Sequence, residues 1–318
     1  MRIFVSGSGG LVGDALLRAC ESRGHEVVPF DLVRPAAAIP EDICDVQLLD
    51  SLLPDCDGVV HLAAISRVAW GEARPDLCRR TNVEGTRAIL RAAASAPKRP
   101  WVLFASSREV YGNPVRDLVL ESDPIAPVNI YGQSKADGEL LVDEARSQGL
   151  GTAIVRLSNV YGGRQDHPDR AVPSFLTRAL RGEDMCVTGG RNYFDFVHVD
   201  DCIAGLMATI GILASGDKML PPIHLATGIA TKLYDLAVRA RDIGGGRSMI
   251  HEEMSRPFDV SGFCGSPDRA RALLGWQATI GIQEGMERVA EDLATNGPLL
   301  PVTIPDPEAF RIGRVAIP

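Results

Sequence analysis

Tyr131 and Lys135 have the residue types and the spacing that proton transfer requires. Because they are four residues apart, a helical segment would place both side chains on one face. A free phenol has a pKa of about 10 and is a poor base at neutral pH. A lysine ammonium one turn away favours the phenolate, because the opposite charges attract. The pair therefore predicts a tyrosine that takes a proton from a substrate hydroxyl group.

A glycine-rich segment near the start of the chain has the features of a dinucleotide-binding turn. It lies between a strand-like run and a helix-like run and reads Ser6-Gly7-Ser8-Gly9-Gly10-Leu11-Val12-Gly13. Gly7, Gly10 and Gly13 can permit a tight turn, the close approach of a pyrophosphate to the backbone, and the close packing of helix on strand. The N–H groups at the start of the helix can then bind the anion.

Asp31, at the end of the second strand-like run, bears on the choice between NAD and NADP. A carboxylate about 20 residues after the turn can accept hydrogen bonds from both ribose hydroxyls of NAD, and it repels the extra phosphate of NADP. Two alternatives stay open at this point. Arg34, close by, would suit that phosphate, and Asp31 could simply cap a loop. The pattern as a whole predicts NAD.

Strand-like and helix-like segments alternate through the first half of the chain, which indicates parallel strands joined by crossover helices. The expected fold is α/β, a doubly wound parallel sheet of the Rossmann type with a smaller C-terminal substrate-binding lobe. The expected strands are Arg2–Ser6, Glu26–Phe30, Gly58–Leu62, Trp101–Ala105, Gly151–Leu157 and Phe194–Val199. The expected helices are Leu11–Arg23, Asn82–Ala96, Tyr131–Gln148, Val172–Arg181, Lys232–Ile243, Pro267–Leu274 and Ile282–Thr295.

The composition changes after about Asn159, where proline, glycine and charged residues become more frequent and the elements become shorter. We expect a NAD-binding domain over residues 1–158 and mainly a substrate-binding lobe over residues 159–318. Segments near 194–215 are expected to return to the central sheet. The tail Gly297–Pro318 is rich in proline and predicts no regular element.

The composition of the 318 residues excludes several classes of function. A formal net charge of −8 and an aromatic content of 5% argue against a nucleic-acid-binding surface, which needs basic residues and stacking rings. The seven cysteines are odd in number and form no CxxC spacing, so we expect reduced thiols and no metal site. No signal peptide or membrane-length apolar run is visible, so a cytoplasmic protein without membrane contact is expected.

Together these motifs resemble the extended short-chain dehydrogenase/reductase family, specifically its NAD-dependent nucleotide-sugar epimerase/dehydratase branch. The GxxGxxG spacing of the turn is the one that this family uses. The resemblance continues through Asp42-Ile43, His61-Leu62-Ala63-Ala64 and Asn82-Val83-Glu84-Gly85-Thr86. The further NAD contacts that it implies are Leu11, Val12, Asp42, Ile43, Leu62, Ala63, Ala64 and Asn82.

Other motifs resemble the catalytic and substrate-binding segments of the family. Ser107, in Ser106-Ser107-Arg108-Glu109-Val110-Tyr111-Gly112, matches the catalytic serine or threonine, and Lys135 would also hold the nicotinamide ribose. Asn159, in Arg156-Leu157-Ser158-Asn159-Val160-Tyr161-Gly162, and Arg256 match residues that bind a diphosphate. The alternative for Arg256 is a solvated surface arginine. The implied substrate is a nucleotide-diphosphate sugar.

The segment Tyr193-Phe194-Asp195-Phe196 departs from the family pattern at one position. Many relatives carry an arginine at the position of Phe194, and that arginine also binds the diphosphate. Binding of the diphosphate would here rely on Arg256 and Asn159, with Arg191 and Arg164 as further candidates. The alternative is an unusual substrate.

The pair Arg108-Glu109 bears on which reaction follows oxidation at C4 of the sugar. Dehydratases of the family typically carry Asp-Glu or Ser-Glu here, decarboxylases carry a Glu, and simple 4-epimerases carry small neutral residues. Glu109 could act as a general base, but Arg108 cannot donate a proton as an Asp would. Alternatively, the two form a solvated pair whose side chains point apart in an extended chain. We expect a 4-epimerase, with a Glu109-dependent dehydratase or decarboxylase, or a 4-keto-sugar reductase, as alternatives.

A cofactor-sensing regulatory protein of the same fold is the alternative outside enzymes. The presence of Ser107, Tyr131 and Lys135 favours an enzyme, because a sensor does not need a proton-transfer pair. The resemblance also implies a homodimer formed through the helices predicted at Asn82–Ala96 and Tyr131–Gln148.

Overall fold

The computed structural model of the chain describes residues 1–32, 42–216 and 220–299. Its strands are β1 (Arg2–Ser6), β2 (Glu26–Phe30), β3 (Gly58–His61), β4 (Trp101–Ser107), β5 (Thr152–Leu157), β6 (Asn159–Tyr161), β7 (Met185–Thr188), β8 (Tyr193–His198), β9 (Ile223–Leu225), β10 (Ala230–Lys232), β11 (Ile250–Glu253) and β12 (Gly262–Phe263). Its α-helices are α1 (Leu11–Ser22), α2 (Val46–Leu52), α3 (Val68–Ala73), α4 (Pro75–Arg79), α5 (Gly85–Ser95), α6 (Ile130–Ser147), α7 (Ala171–Arg181), α8 (Val199–Ala214), α9 (Leu233–Ile243), α10 (Asp268–Leu274) and α11 (Ile282–Asn296).

The central sheet has six parallel strands in the order β2-β1-β3-β4-β5-β9. Because side chains alternate along a strand, neighbouring residues of β1 enter different cores. Ile3 and Val5 pack with residues of α1 and α8, whereas Phe4 packs with residues of α2 and α5. Helices therefore cover both faces of the sheet, which confirms the predicted doubly wound α/β fold.

The strand order reverses at β1, which has β2 on one side and β3 on the other. At such a switch point the loops at the carboxyl ends of the strands diverge and leave a crevice for ligands. The glycine turn follows β1, the segment Leu62–Ala64 follows β3, and Ser107 ends β4. The topology therefore brings these three segments to one edge of the sheet.

The second lobe contains a smaller sheet in which β8 lies between β10 and β12 and also pairs with β6. β7 and β11 form a separate parallel pair. Helices α7, α9 and α11 pack around these strands through Leu176, Leu236 and Met286. The strand expected at Phe194–Val199 therefore pairs within this lobe, because β10 and β12 flank it on both sides. The chain returns to the central sheet through α8 and then through β9.

The helix expected at Asn82–Ala96 begins differently in the structure. A π-helical turn occupies Arg80–Glu84 between α4 and α5 and contains Asn82. Turns of this kind are rare in proteins and occur frequently at functional sites. The helix that carries Tyr131 begins at Ile130 and ends at Ser147, one residue from the predicted bounds at each end.

Some predicted features cannot be placed within this fold. Arg34 and residues 300–318 of the tail lie outside the described residues. Within the ranges given above, none of the helices combines the length and the apolar content needed to span a bilayer.

Candidate active site

A cavity of about 1340 Å³ opens at the carboxyl ends of the central strands, with walls from both the sheet and the second lobe. Seventeen of the predicted site residues line it, so the fold brings together segments that are far apart in the sequence. They are Gly7, Gly10, Leu11, Val12, Gly13, Asp31, Asp42, Ile43, Leu62, Ala63, Ala64, Ser107, Glu109, Tyr131, Lys135, Asn159 and Arg256.

Steric contacts explain the glycines of the turn after β1. A Cβ on Gly13 would lie 2.0 Å from the carbonyl oxygen of Gly7, and a Cβ on Gly7 would lie 2.6 Å from the backbone nitrogen of Ala63. Gly7 also has a φ of +73°, a conformation that favours glycine. Gly10 precedes α1 and offers it no side-chain cap, so the N–H groups of the first turn can bind an anion. This cradle fits the pyrophosphate of a dinucleotide.

Asp31 lies beside the glycine turn, where its Oδ2 accepts a hydrogen bond from the Gly9 backbone nitrogen at 2.8 Å. The side chain therefore closes the loop and also lines the cavity, so both sequence interpretations of Asp31 have a structural basis. Arg80 holds Asp42, since its Nη2 lies 2.5 Å from Oδ2 of that carboxylate. Ile43 packs against Gly85, where a Cβ would come within 2.6 Å of the Ile43 Cγ2.

Asn82, which is predicted to contact the cofactor, lies behind the cavity wall. Its side chain is buried in the π-helical turn. Its Oδ1 accepts a hydrogen bond from the Ile65 nitrogen at 2.8 Å, and its Nδ2 donates to the Ser134 hydroxyl at 2.8 Å. Through these bonds Asn82 joins the loop after β3, which lines the cavity, to α6.

Ser107 and Tyr131 meet at the cavity wall. Ser107 ends β4, and its hydroxyl hydrogen-bonds the phenol of Tyr131. Burial raises the pKa of Tyr131 to about 12, while the hydrogen bond from Ser107 acts in the opposite direction. In the protein alone, desolvation therefore outweighs the expected stabilisation of the phenolate.

Lys135 lies one turn after Tyr131 on α6 and is buried. Its Nζ donates a hydrogen bond to the carbonyl oxygen of Ala105 at 2.8 Å and lies 4.9 Å from the centre of the Phe104 ring. Burial lowers the pKa of Lys135 to about 8. Gly138 permits this packing, because a Cβ there would lie 2.5 Å from the Phe104 ring. The amine is thus fixed to the end of β4.

Arg108 and Glu109 follow Ser107 in a 3₁₀ turn and not in an extended chain. Their side chains therefore meet: Oε1 of Glu109 lies 2.7 Å from Nη2 of Arg108. The second oxygen, Oε2, accepts a hydrogen bond from Nδ2 of Asn129 at 2.8 Å. The two side chains are 12% and 8% exposed, so the alternative of a solvated pair is wrong. The turn geometry brings adjacent side chains together.

The predicted diphosphate-binding residues differ in burial. Asn159 begins β6, and its Oδ1 accepts a hydrogen bond from Nε of Arg108 at 2.5 Å. Arg256 is 51% exposed and forms two contacts with Asp259, at 2.8 and 2.9 Å. Arg256 lines the cavity, as a diphosphate-binding residue would, and it is also half exposed, as a surface arginine would be.

Two residues at the site were not predicted from the sequence. Asn129 caps α6 by accepting a hydrogen bond from the Gly132 nitrogen at 2.8 Å, and it also holds Glu109. An Asn directly before a helix predicts an N-cap. The contact of Asn129 with Glu109 cannot be predicted from the sequence. Arg67 lies 2.5 Å from Asp169, a residue 102 positions away, and joins a loop of the first domain to the second lobe. No local pattern could indicate that ion pair.

Comparison with known proteins agrees with this geometry. A family model described as the NAD dependent epimerase/dehydratase family matches residues 3–219. The low-salt glycan biosynthesis protein Agl12 of Haloferax volcanii is 30% identical over 308 residues, which is 90% of this chain and 96% of that protein. A UDP-glucose 4-epimerase of Mycolicibacterium smegmatis is 28% identical over 92% of this chain and 98% of its own length. The structure of a dTDP-glucose 4,6-dehydratase from Streptomyces venezuelae, solved with NAD bound, has a TM-score of 0.83 at 27% identity, over 93% of this chain and 98% of that one.

The family match covers more than half of the chain, and the similarity to whole relatives covers nearly all of it. It coincides with a cradle shaped for a dinucleotide and with a buried Ser107–Tyr131 pair beside Lys135. The alternative of a non-catalytic sensor is therefore set aside. The chain belongs to the NAD dependent epimerase/dehydratase family and is an NAD-dependent enzyme of the group that contains nucleotide-sugar epimerases, dehydratases and decarboxylases.

Proposed function

We propose that the protein epimerises a nucleotide-sugar by transient oxidation at C4 of the sugar. The observation that carries this proposal is the double engagement of Glu109. Its two carboxylate oxygens contact Arg108 at 2.7 Å and Asn129 at 2.8 Å. A carboxylate that takes a proton from C5 must direct an oxygen at the sugar. These two contacts instead orient the oxygens of Glu109 towards protein donors, as expected for the counter-ion of Arg108. Tyr131 and Ser107 suffice for reversible proton transfer at one oxygen.

In this proposal Tyr131 takes the proton of the sugar 4-hydroxyl while Ser107 hydrogen-bonds the same oxygen. Bound NAD would supply the hydride acceptor for C4, and the positive charge of its oxidised form would favour the Tyr131 phenolate. Burial raises the pKa of Tyr131 to about 12, so the phenolate needs nearby positive charge. Lys135, fixed by the Ala105 carbonyl, would bind the nicotinamide ribose. The glycine turn and Asp31 would hold the pyrophosphate and the other ribose.

Inversion at C4 requires the 4-keto sugar to turn over in the site before hydride returns to its opposite face. The cavity, at about 1340 Å³, exceeds the range of roughly 300–1,000 Å³ that is typical of single-ligand pockets. A site for both a dinucleotide and a nucleotide-sugar needs this larger volume. Asn159 and Arg256 would anchor the diphosphate while the sugar turns.

A dehydratase or decarboxylase that uses Glu109 is the second candidate. The observation in its favour is that Glu109 lines the cavity close enough to Tyr131 to raise the pKa of the phenol. Against it, dehydration also needs an acid that protonates the departing C6 hydroxyl. Arg108 occupies the adjacent position, and a guanidinium does not give up its proton in proteins. A 4-keto-sugar reductase, the third candidate, would consume reduced cofactor in each turnover.

Proton NMR in D₂O distinguishes these reactions. The protein and NAD are incubated with UDP-glucose, UDP-galactose, UDP-N-acetylglucosamine, UDP-glucuronate and dTDP-glucose. A C4 epimer without deuterium supports the proposal, and Glu109→Gln should still form it. A 4-keto-6-deoxy product deuterated at C5, or loss of the carboxylate, contradicts the proposal and assigns Glu109 a role in the chemistry.

We also infer a cytoplasmic homodimer formed through α5 and α6. The support is Leu140 on α6, an apolar side chain that is 70% exposed in the single chain. A dimer that buries this face would remove the leucine from water. Light scattering should give twice the mass of one chain, and a monomeric mass at micromolar concentration contradicts the inference.

A further inference from the structure

The guanidinium of Arg108 lies in the cavity wall with one nitrogen unused. Its Nε donates to Oδ1 of Asn159 at 2.5 Å, and its Nη2 lies 2.7 Å from Oε1 of Glu109. Its Nη1 is buried and has no hydrogen-bond partner among the residues that the structure describes. A buried donor without an acceptor costs about 1–3 kcal/mol. The protein therefore carries an unmet donor group in a side chain that lines its cavity.

Phe194 and Glu109 hold this guanidinium in one orientation. Its Cζ lies 4.2 Å from the centre of the Phe194 ring, within the range of a cation–π contact. The ring packs on the guanidinium, and the carboxylate of Glu109 fixes one edge of it. Rotation of Nη1 towards another protein acceptor would break both contacts. A ligand is therefore the natural source of the missing acceptor.

The arginines in the wall around Arg108 are paired with carboxylates. The parts of the wall formed by residues 65–70 and 107–260 contain Lys135 and five arginines, and each of these arginines forms an ion pair. The arginines are Arg67, Arg108, Arg164, Arg170 and Arg256. Arg108 has the least exposed side chain of the five. Its contacts with a ligand are therefore the least screened by water, and the positive charge of the guanidinium favours an anion.

We propose that Arg108 binds an anionic oxygen of the substrate through Nη1 and is a specificity-determining residue. This inference rests on the proposed function, which makes the ligand a nucleotide-diphosphate sugar. Two groups of such a ligand offer the required chemistry: the diphosphate, and a carboxylate on the sugar. Both present charged oxygens of the kind that a guanidinium edge binds.

Isothermal titration calorimetry on the full chain, saturated with NAD, tests the proposal. UDP, dTDP and GDP are titrated first, and the tightest of them sets the nucleotide. This diphosphate is then compared with its glucose-linked and glucuronate-linked forms, on the wild type and on Arg108→Met. We expect at least one of the three ligands to bind Arg108→Met about 10- to 100-fold more weakly. Arg146→Met removes an arginine that pairs with Asp143 outside the cavity wall, and should bind as the wild type does.

The pattern of losses identifies the group that Arg108 binds. A loss shared by all three ligands assigns it to the diphosphate, and a loss confined to the glucuronate form assigns it to the carboxylate; either result supports the proposal. Equal affinities of the wild type and Arg108→Met for all three ligands overturn it and leave the proposed function intact. Failure of the wild type to bind any of the nucleotides removes the proposed function, and this inference with it.

A second variant guards against misfolding, because Arg108→Met leaves the buried Glu109 without its ion-pair partner. The double variant Arg108→Met/Glu109→Gln removes both charges, and its affinity for NAD reports whether it is folded. It should lose affinity for the same ligands as the single variant. Wild-type affinity in the folded double variant overturns the proposal.

Discussion

The Tyr131 phenol and the Ser107 hydroxyl form the smallest unit that could carry out the proposed reaction. They come from two elements, the first turn of α6 and the end of β4, and meet by a hydrogen bond in a buried environment. The Tyr-x-x-x-Lys spacing predicted correctly that Lys135 shares a helix with Tyr131. The sequence could not predict that burial has the largest effect on the pKa of Tyr131, because burial depends on neighbours from the whole fold.

Removal of the Tyr131 hydroxyl should stop turnover. Tyr131→Phe keeps the ring and its packing but leaves no group to take the proton of the sugar hydroxyl. We expect kcat to fall by about 10²- to 10⁴-fold, the usual contribution of a positioned acid or base. Tyr234→Phe, at an exposed position on α9, is the control and should leave kcat unchanged. Turnover of Tyr131→Phe at the wild-type rate would refute its role as the base.

Arg108 shows where sequence reasoning about single residues ends. Its type and its neighbour Glu109 were visible, and so was the unusual Phe194. Their contact was not, because it depends on a 3₁₀ turn after β4 and on the pairing of β8 within the second lobe. Local sequence patterns carry no information on either feature. The contact of Arg108 with the Phe194 ring could therefore not be predicted from the sequence.

At the scale of elements, the close approach of β1 and α1 shapes the cofactor site. A side chain on Gly13 would meet the turn, and a side chain on Gly7 would meet the segment after β3. The bounds of β1 and β2 were predicted correctly, because each is a short apolar run that ends in a clear turn signal. β10 and β12 were not predicted, since strands of three and two residues have too little periodicity to detect.

A methyl group at Gly13 should damage the cofactor site. The steric clash should outweigh the gain in helix propensity that alanine offers over glycine. Gly13→Ala would place Cβ 2.0 Å from the Gly7 carbonyl oxygen and force the turn and the helix apart. We expect NAD affinity, measured by calorimetry, to fall at least about tenfold. Gly211→Ala, in α8 with no atom within 4 Å of the added Cβ, is the matched control and should stabilise the protein by up to about 1 kcal/mol. Equal NAD affinity in both variants would contradict the steric account.

At the scale of the whole molecule, the cavity exists because two lobes with separate cores meet above the edge of the sheet. The ion pair of Arg67 with Asp169 crosses between them, and the Trp70 and His167 rings lie 5.1 Å apart in an edge-to-face contact. The sequence predicted a second lobe from a change in composition. Its sheet could not be predicted, because β6, β8, β10 and β12 are distant in the chain and pair through tertiary packing.

The buried His61 should make the fold sensitive to acid. Its ring nitrogens lie 2.7 Å from the Ser6 hydroxyl and 3.0 Å from the Thr86 hydroxyl, and so it links β1, β3 and α5. Burial lowers the pKa of His61 to about 3. Between pH 6.5 and 3 the unfolded chain therefore binds a proton that the folded chain does not. This group removes about 1.4 kcal/mol from the free energy of unfolding for each pH unit below 6.5.

Urea unfolding of the wild type and of His61→Gln from pH 7 to pH 4 isolates this contribution. Glutamine stays neutral across the range, so the stability advantage of the wild type should shrink as the pH falls. His251→Gln, on the exposed strand β11, is the matched control. An advantage that stays constant with pH would show that His61 titrates alike in the folded and unfolded chains.

The return of hydride to the carbon that lost it is the central claim, and a nucleotide-sugar deuterated at C4 tests it most directly. The substrate is the one that the NMR panel in D₂O identifies, and the product is analysed by NMR and mass spectrometry. The account predicts a C4 epimer that keeps its deuterium at C4, formed more slowly than from the unlabelled sugar. Deuterium at C6, or its loss to the solvent, would contradict the account, because hydride would then not return to C4.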